Sequence, residues 1–540
     1  MGGLRHFSEF LLIAAILLCF PSINTDATCI TSEKQALLDF KKSLIDPSGR
    51  LSSWNDNIPT FLGSLKSLRY LNLSQARFQG MVPYQLGNLS SLRTFNLSGN
   101  DFRHFIPRWI FDLPSLASLD LSKNLFLGPL PRGPWNMTSL NCLDLSSNHL
   151  DGSLPDELIH RNNLISLNLQ GNQFEGSLDG IRNWSSLVSL NLSENHFTTI
   201  LPNVLFTLSS LVSLDLRSNQ FQGYIPGSIA NISNLQNLDL SHNNLSSSLP
   251  SELFTLKDLV TVDAGGNRLS GPIPSTIGNC TKLKHLRLTD NSNALSGSIP
   301  SNLGKLSSLE YIDISKNKLT GTLPESLGQL SKLETLLIYN NLMEGMVSGI
   351  LLDNLTSLKY FDASGNSLTL KANASWIPRA QFERLGLGSW NLGLQFPIWL
   401  QSQKNLQYLN LSSTRISDTI PSWLFNSATG VVSLSHNQLH GKNSSIFEIV
   451  KRLYIYYRGI SHFLCEVKNG KPGLTVLDLK KNSLSGEIPD CWMNYPNITY
   501  VSLKSNNFIG SIPRSLFSLE YLSHLDLGRN SLTGSMPSTL

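Results

Sequence analysis

The sequence predicts an α/β repeat protein, a solenoid of short parallel strands stacked into one long sheet, with turns and short 3-10 or irregular segments on the other side. Three observations predict it. The pattern L-x-x-L-x-L-x-x-N returns about every 24 residues, as in Leu116-Leu119-Leu121-Asn124, Leu140-Leu143-Leu145-Asn148 and Leu164-Leu167-Leu169-Asn172. Only 15% of the 540 residues are charged, against roughly 25% in an average soluble protein. The hydrophobic fraction is 41%, and 38 Gly and 25 Pro are spread along the whole length. The chain can bury a large core, but one interrupted by turns at short, regular intervals.

Each part of the repeat has a physical role. In L-x-x-L-x-L the alternating Leu residues point inward from a short strand and the residues between them face solvent. The Asn stands where the chain leaves the strand, and its amide can satisfy backbone groups that would otherwise be buried unpaired. The same frame returns at Asn195, Asn219, Asn243, Asn267, Asn317, Asn341, Asn366, Asn482, Asn506 and Asn530. After the Asn comes L-x-G-x-I/L-P, as in Leu269 to Pro274 and Leu484 to Pro489. Gly permits a turn there, and Pro limits a second strand. One coil cannot bury its own Leu face, so stability comes from stacking. The period lies in the leucine-rich-repeat range, which predicts a curved right-handed superhelix with a concave parallel sheet.

The formal net charge is +4 and no run of Lys or Arg exceeds a pair, which gives no footprint for nucleic acid or an anionic membrane. At the N-terminus, Arg5 and His6 precede an apolar stretch from Phe10 to Phe20, and small residues follow at Thr25 and Ala27. This is the pattern of a secretory signal over residues 1–27. His6 stands where a myristoylation motif needs Ser or Thr. No second apolar run is long enough for a membrane-spanning segment.

The motif Gly271-Pro-Ile-Pro-Ser-Thr-Ile-Gly278 resembles the plant extracellular leucine-rich repeat. Glu33 to Lys41, followed by Asp46 to Trp54, resembles the plant N-terminal cap, here partial and spanning 28–57. Trp376-Ile-Pro378, Leu392-Gly-Leu-Gln-Phe-Pro-Ile-Trp-Leu-Gln401, Ile416-Ser-Asp-Thr-Ile-Pro-Ser-Trp423 and Gly486-Glu-Ile-Pro-Asp-Cys-Trp492 are together similar to plant receptor-like proteins of the ethylene-inducing-xylanase receptor group. The resemblance implies a receptor ectodomain for defence at the plasma membrane, with a microbial protein or peptide as ligand and a co-receptor kinase as partner. Two departures stand out. After Trp54 the chain runs straight into repeat sequence at Ile58, where the family's cap has a paired Cys. Regular repeats are expected over 58–442 and again over 474–540, with an irregular stretch at 443–473. The chain is therefore expected to be a shortened form of a longer receptor, with Leu522, Leu525, Leu527 and Leu532 uncovered in an uncapped last coil.

Six Cys are present. Cys465 and Cys491 occupy nearly matching places in consecutive coils, so they are either a disulfide or two buried thiols. Cys142 and Cys280 are expected to pack as small apolar residues. No C-x-x-C or Cys/His cluster points to a metal, and no cofactor motif is found. The N-x-S/T rule marks Asn72, Asn88, Asn96, Asn136, Asn183, Asn191, Asn231, Asn244, Asn279, Asn354, Asn373, Asn410, Asn443 and Asn497 as N-glycosylation candidates. Asn88, Asn136, Asn183, Asn231, Asn279 and Asn354 each precede the first repeat Leu by four residues, which places them on one flank. Asn72, Asn96, Asn191 and Asn410 fall on the concave strands, where N-L-S is equally a strand-compatible tripeptide.

Catalysis finds little support. Asp120, Asp144, Asp215, Asp239, Asp313 and Asp478 form a ladder, but recurrence in almost every coil marks repeat consensus rather than an acid/base pair. Isolated His160 and His196 belong to no nucleophile constellation, so an enzyme is not expected. A binding site is legible by comparing coils. The outward strand positions are mostly Ser, Asn and Asp, but Lys284, His285, Arg287, Tyr311, Tyr339 and Tyr360 depart from that background. Tyr and Arg are enriched at binding hot spots, and the coils from Leu211 to Leu387 carry no strand sequon. The reading is a ligand-recognition ectodomain. Its alternatives are a secreted inhibitor of a microbial wall-degrading enzyme, placed in the apoplast, and a non-functional truncated product.

Overall fold

In the computed structural model the described residues are 57–292, 294–373, 375–424, 430–440, 464–465 and 473–534. The expected signal, the cap up to residue 56, the sequon at Asn443 and most of the irregular stretch lie outside them. The chain divides after Ser246 into two compact units.

The first unit carries eight three-residue strands of one parallel sheet: β1 (Tyr70–Asn72), β2 (Thr94–Asn96), β3 (Ser118–Asp120), β4 (Cys142–Asp144), β5 (Ser166–Asn168), β6 (Ser189–Asn191), β7 (Ser213–Asp215) and β8 (Asn237–Asp239). Each pairs with the next in register, so Leu119, Leu143, Leu167, Leu190, Leu214 and Leu238 form one inward row. All are at most 2% exposed. Opposite the sheet lie short 3-10 helices such as Tyr84–Asn88, Asn203–Thr207 and Gly227–Asn231. A Pro stands immediately before each of these, with φ between −64° and −74°. The ring fixes that angle and ends the preceding extended segment. Second strands also form after the turn, as in the parallel set Leu127–Pro129, His149–Ser153 and Gln173–Glu175.

The second unit repeats the plan with eleven strands: β9 (Thr261–Asp263), β10 (His285–Arg287), β11 (Tyr311–Asp313), β12 (Thr335–Leu337), β13 (Tyr360–Asp362), β14 (Arg384–Gly386), β15 (Tyr408–Asn410), β16 (Val431–Ser433), β17 (Val476–Asp478), β18 (Tyr500–Ser502) and β19 (His524–Asp526). β16 pairs directly with β17, Val431 opposite Val476. The sheet thus passes the irregular stretch without an extra strand. Cys465 and Cys491 are joined in a disulfide with Cα atoms 5.7 Å apart, and the Tyr495 hydroxyl donates to the Leu464 carbonyl at 2.9 Å. In the last coil Leu522, Leu525, Leu527 and Leu532 are half-buried, whereas Leu477 and Leu479 in an interior coil are fully buried.

What joins coil to coil, apart from the ladders, is the recurrent Asn. The Asn172 amide donates to the carbonyls of Leu145, one coil back, and Leu169 in its own coil, at 3.0 and 3.1 Å. Its oxygen accepts the Leu150 N–H at 3.0 Å. Asn148, Asn219 and Asn341 repeat this arrangement. The residue just before each such Asn is left-handed, with φ between 51° and 54° at Lys123, Ser147, Ser218 and Asn340. A side-chain-bearing residue there costs roughly 1–2 kcal/mol, a cost the stacked coils must offset.

Two coils achieve the same end without Asn. Trp390 stands in the Asn position and its indole N–H donates to Ala363, one coil back, at 3.0 Å. Thr414 stands in the same position, its hydroxyl donating to the Leu411 carbonyl of its own coil at 2.8 Å and to the Asn437 side-chain oxygen of the next coil at 3.1 Å. Cys280 packs as expected, buried and free, its thiol pushed up to about 11 by burial. Cys142 does not. It stands on β4 in register with Ser118 and Ser166, on the outward side of the strand, and is disulfide-bonded.

Replacing Asn172 by Ala should lower stability by about 2–4 kcal/mol, because it orphans buried backbone groups in two coils. Asn234→Ala, at an exposed site bonded only to Ser209, should stay within about 0.5 kcal/mol of the parent. Chemical denaturation followed by circular dichroism measures both.

Candidate functional site

Each strand has one inward residue, flanked by two that face outward. On the second unit these outward residues form two rows. The first runs Thr261, His285, Tyr311, Thr335, Tyr360, Arg384 and Tyr408; the second runs Asp263, Arg287, Asp313, Leu337, Asp362, Gly386 and Asn410. Parallel in-register pairing brings residues about 24 apart in sequence to strand spacing, roughly 4.8 Å.

Arg287 sits between two coils. Its guanidinium donates to Asp263 at 3.2 Å on one side and to the Tyr311 hydroxyl at 3.1 Å on the other, lying 5.0 Å from the Tyr311 ring centre. Burial pushes the Tyr311 phenol up, while Arg287 pulls it down. His285 lies 6.2 Å from the same ring. Burial holds its pKa below the ordinary value, Lys284 and Arg287 add to that, and Glu310 opposes. Lys284 precedes the strand and pairs with Glu310 at 3.1 Å. Tyr360 lies two strands beyond Tyr311, and its hydroxyl donates to Glu383 at 2.6 Å, which raises its pKa.

Of the sequence-predicted residues, His285 and Arg287 therefore both meet Tyr311, with Lys284 at their edge. Tyr360 belongs to a neighbouring group. Tyr339 continues the outward alternation past β12, beyond Leu337, and is half-buried. The cluster is not unique in composition. Arg384 places two nitrogens on one oxygen of Asp362, at 3.1 and 2.8 Å, and lies 3.7 Å from the Tyr408 ring centre. The signal was available: the same coil comparison carried two coils further meets Arg384 and Tyr408 in the row of His285 and Tyr311.

Next to this second group Asp362 and Ser364 fill the space over Gly386, which is buried. A Cβ on Gly386 would lie 2.0 Å from an Asp362 oxygen and 2.7 Å from Ser364 Oγ. Asn410 leans over Gly388 to donate to Ser364 Oγ at 3.1 Å. The strand sequons share one local geometry: Asn72, Asn96, Asn191 and Asn410 each accept the backbone N–H of the Ser two residues on. The ladder Asp residues make the same turn, for example Asp120 with Ser122 and Asp313 with Ser315. Burial, then repulsion from Asp239, pushes Asp215 up to about 7; burial and Asp120 bring Asp144 to about 6. Their turn-forming role accounts for their recurrence. By contrast, Asn88, Asn231, Asn279 and Asn354 are exposed at the last residue of short helices, away from the sheet. Among the described residues no acidic, His and Cys group is arranged to hold a metal, and no helix is long and apolar enough to cross a membrane.

Because His285 is held neutral by burial, its stabilising contribution is present above its ordinary pKa of 6.5 and is lost as pH falls through the lower folded value. Between about pH 7.5 and about pH 5 the urea midpoint should fall further in the wild type than in His285→Gln. Equal falls would remove His285 as the cause.

The comparisons agree with this geometry. Residues 186–419 match the family described as leucine-rich repeat region, 60–126 a leucine rich repeat, and 30–60 the leucine rich repeat N-terminal domain. Receptor-like protein EIX2 of Solanum lycopersicum is 33% identical over 179 residues, 28% of this chain and 17% of that protein. Receptor-like protein EIX1 of the same plant is 36% identical over 149 residues, 27% of this chain and 12% of that protein. The matched part thus spans less than a fifth of either relative. Among solved structures, the plant peptide hormone receptor RGFR1 in complex with RGF2 superposes with a TM-score of 0.75 at 30% identity, covering 89% of this chain and 74% of that one. The Arabidopsis receptor kinase HAESA, in complex with the peptide hormone IDA and the co-receptor SERK1, gives 0.64 at 28% identity, covering 93% and 90%. The chain belongs to the leucine-rich-repeat family and is similar to the receptor-like proteins of the EIX group.

Proposed function

We propose that the chain is the ligand-recognition part of a plant cell-surface receptor in defence. In this reading it binds a microbial protein or peptide on the second unit's sheet face and signals through a partner kinase. The observation that carries the proposal is the run of Arg and Tyr side chains at outward positions of β10 to β15, where the preceding strands β5 to β9 carry only Ser, Thr, Asn and Asp. Such side chains offer large, rigid contact area with a polar tip. Both Arg residues are already oriented by a carboxylate and a Tyr, so little order is lost when a ligand arrives. The solved relatives that hold peptide hormones share the fold, which supports a binding rather than a catalytic use of this face.

The test is a plant line lacking the receptor and complemented with its full-length form, challenged with microbial culture filtrates while the oxidative burst is recorded. The variant Arg287→Ala/Tyr311→Ala/Tyr339→Ala should reach the cell surface in wild-type amounts and lose the response by at least about tenfold, the scale of one hot spot. A triple variant that responds like wild type would move the site off this face. A wild-type line that responds to no filtrate would remove the defence reading.

A further inference from the structure

The second unit leaves an apolar patch open on the flank away from the strands. Ile350 is 69% exposed, Ile377 60% and Ile398 71%. Trp376 and Trp399 are half-buried beside them, their rings edge to face at 5.1 Å. Trp376 backs onto Gly349, where an added Cβ would come within 2.9 Å of the indole nitrogen. The preceding coils carry polar residues at the second position of the corresponding helix, namely Thr276, Asn302 and Ser326. Here that position is Ile350 or Trp399. Apolar groups grouped this way call for a cover.

The chain supplies a candidate of its own. Asn373 is exposed and forms a sequon with Ser375. The Trp376 N–H donates to the Asn373 carbonyl at 3.0 Å, closing a turn whose ends lie within about 7 Å. The turn sets the Asn373 backbone against that of Trp376, so a sugar on Asn373 Nδ2 starts within reach of the Trp376 and Ile377 side chains. One face of a pyranose ring presents C–H groups, which suits the electron-rich face of an indole.

We propose that Asn373 carries an N-linked glycan whose first N-acetylglucosamine packs on Trp376 and Ile377, so that the chain's own sugar closes this patch. In the transfer, a bond forms between Asn373 Nδ2 and C1 of the sugar. The C1–O bond to the pyrophosphate of a lipid-linked oligosaccharide donor breaks, and Nδ2 gives up one proton. The proposal rests on passage through the secretory pathway but not on the ligand-binding reading.

The whole chain, secreted from plant cells, is tested by peptide mass spectrometry for occupancy at Asn373, by thermal unfolding and by binding of an apolar dye. Asn373→Gln should lower Tm by about 1–3 °C and raise dye fluorescence, while Asn279→Gln changes neither. Trimming the wild-type glycan to a single N-acetylglucosamine should leave both readouts unchanged. If Asn373→Gln is not secreted, removal of the whole glycan from the folded wild type by a glycoamidase replaces it and should give the same two shifts. An unoccupied Asn373, or equal Tm and dye binding with and without the sugar, would overturn the proposal. So would a dimer formed through the patch and dissolved by Ile377→Lys.

Discussion

A buried primary amide offers two N–H donors and an acceptor oxygen, and the repeat Asn uses both ends against backbone groups of two consecutive coils. These groups stand where the chain leaves a three-residue strand and has no sheet partner left. Unpaired, each would cost about 1–3 kcal/mol. Satisfying them from inside lets the coil turn sharply enough to stack on the next at strand spacing. The inward Leu rows, the Pro-started 3-10 helices and the second strands all follow from that spacing.

With the interior fixed in this way, the outward strand positions are released from structural duty, apart from the Asx turn at the third position. Variation there is what differentiates one coil from another. In the second unit it takes the form of two Asp–Arg–Tyr groups, each built across three adjacent strands and each holding its cation over a ring. Because both guanidiniums are neutralised locally, the face presents oriented planar groups rather than net positive charge. Such a surface selects by shape and by directed hydrogen bonds more than by long-range attraction.

Much of this was legible in the sequence because the repeat states its own register. The spacing of Leu119, Leu143 and Leu167 gives strand, inward face and partner at once. Legibility failed where different chemistry does the same work. An indole N–H at Trp390 and a hydroxyl at Thr414 replace the Asn amide, so a search for Asn loses the frame between Asn366 and Asn482, although Asn437 still makes the usual bonds. Cys142 is buried as a small apolar residue in a good coil should be, but its disulfide was not legible because nothing in its own coil offers a second Cys. Arg384 and Tyr408 were passed over because they lie outside the coils where the change in composition is most abrupt. The Asx turns of Asn96 and Asn410 show why a sequon on a strand is ambiguous: the same Asn that invites a sugar also does the work of the ladder Asp.

The central claim, that the amide ladder locks coil to coil, is tested most directly by hydrogen exchange of the backbone N–H groups that Asn oxygens accept. These include Leu150, Phe174, Leu319 and Met343, none of which takes its protection from a main-sheet strand. If the ladder holds the stack, they exchange as slowly as the strand amides of β5 and β12, through opening of the whole unit. Exchange at the rate of exposed turn amides, while the strands stay protected, would contradict the claim.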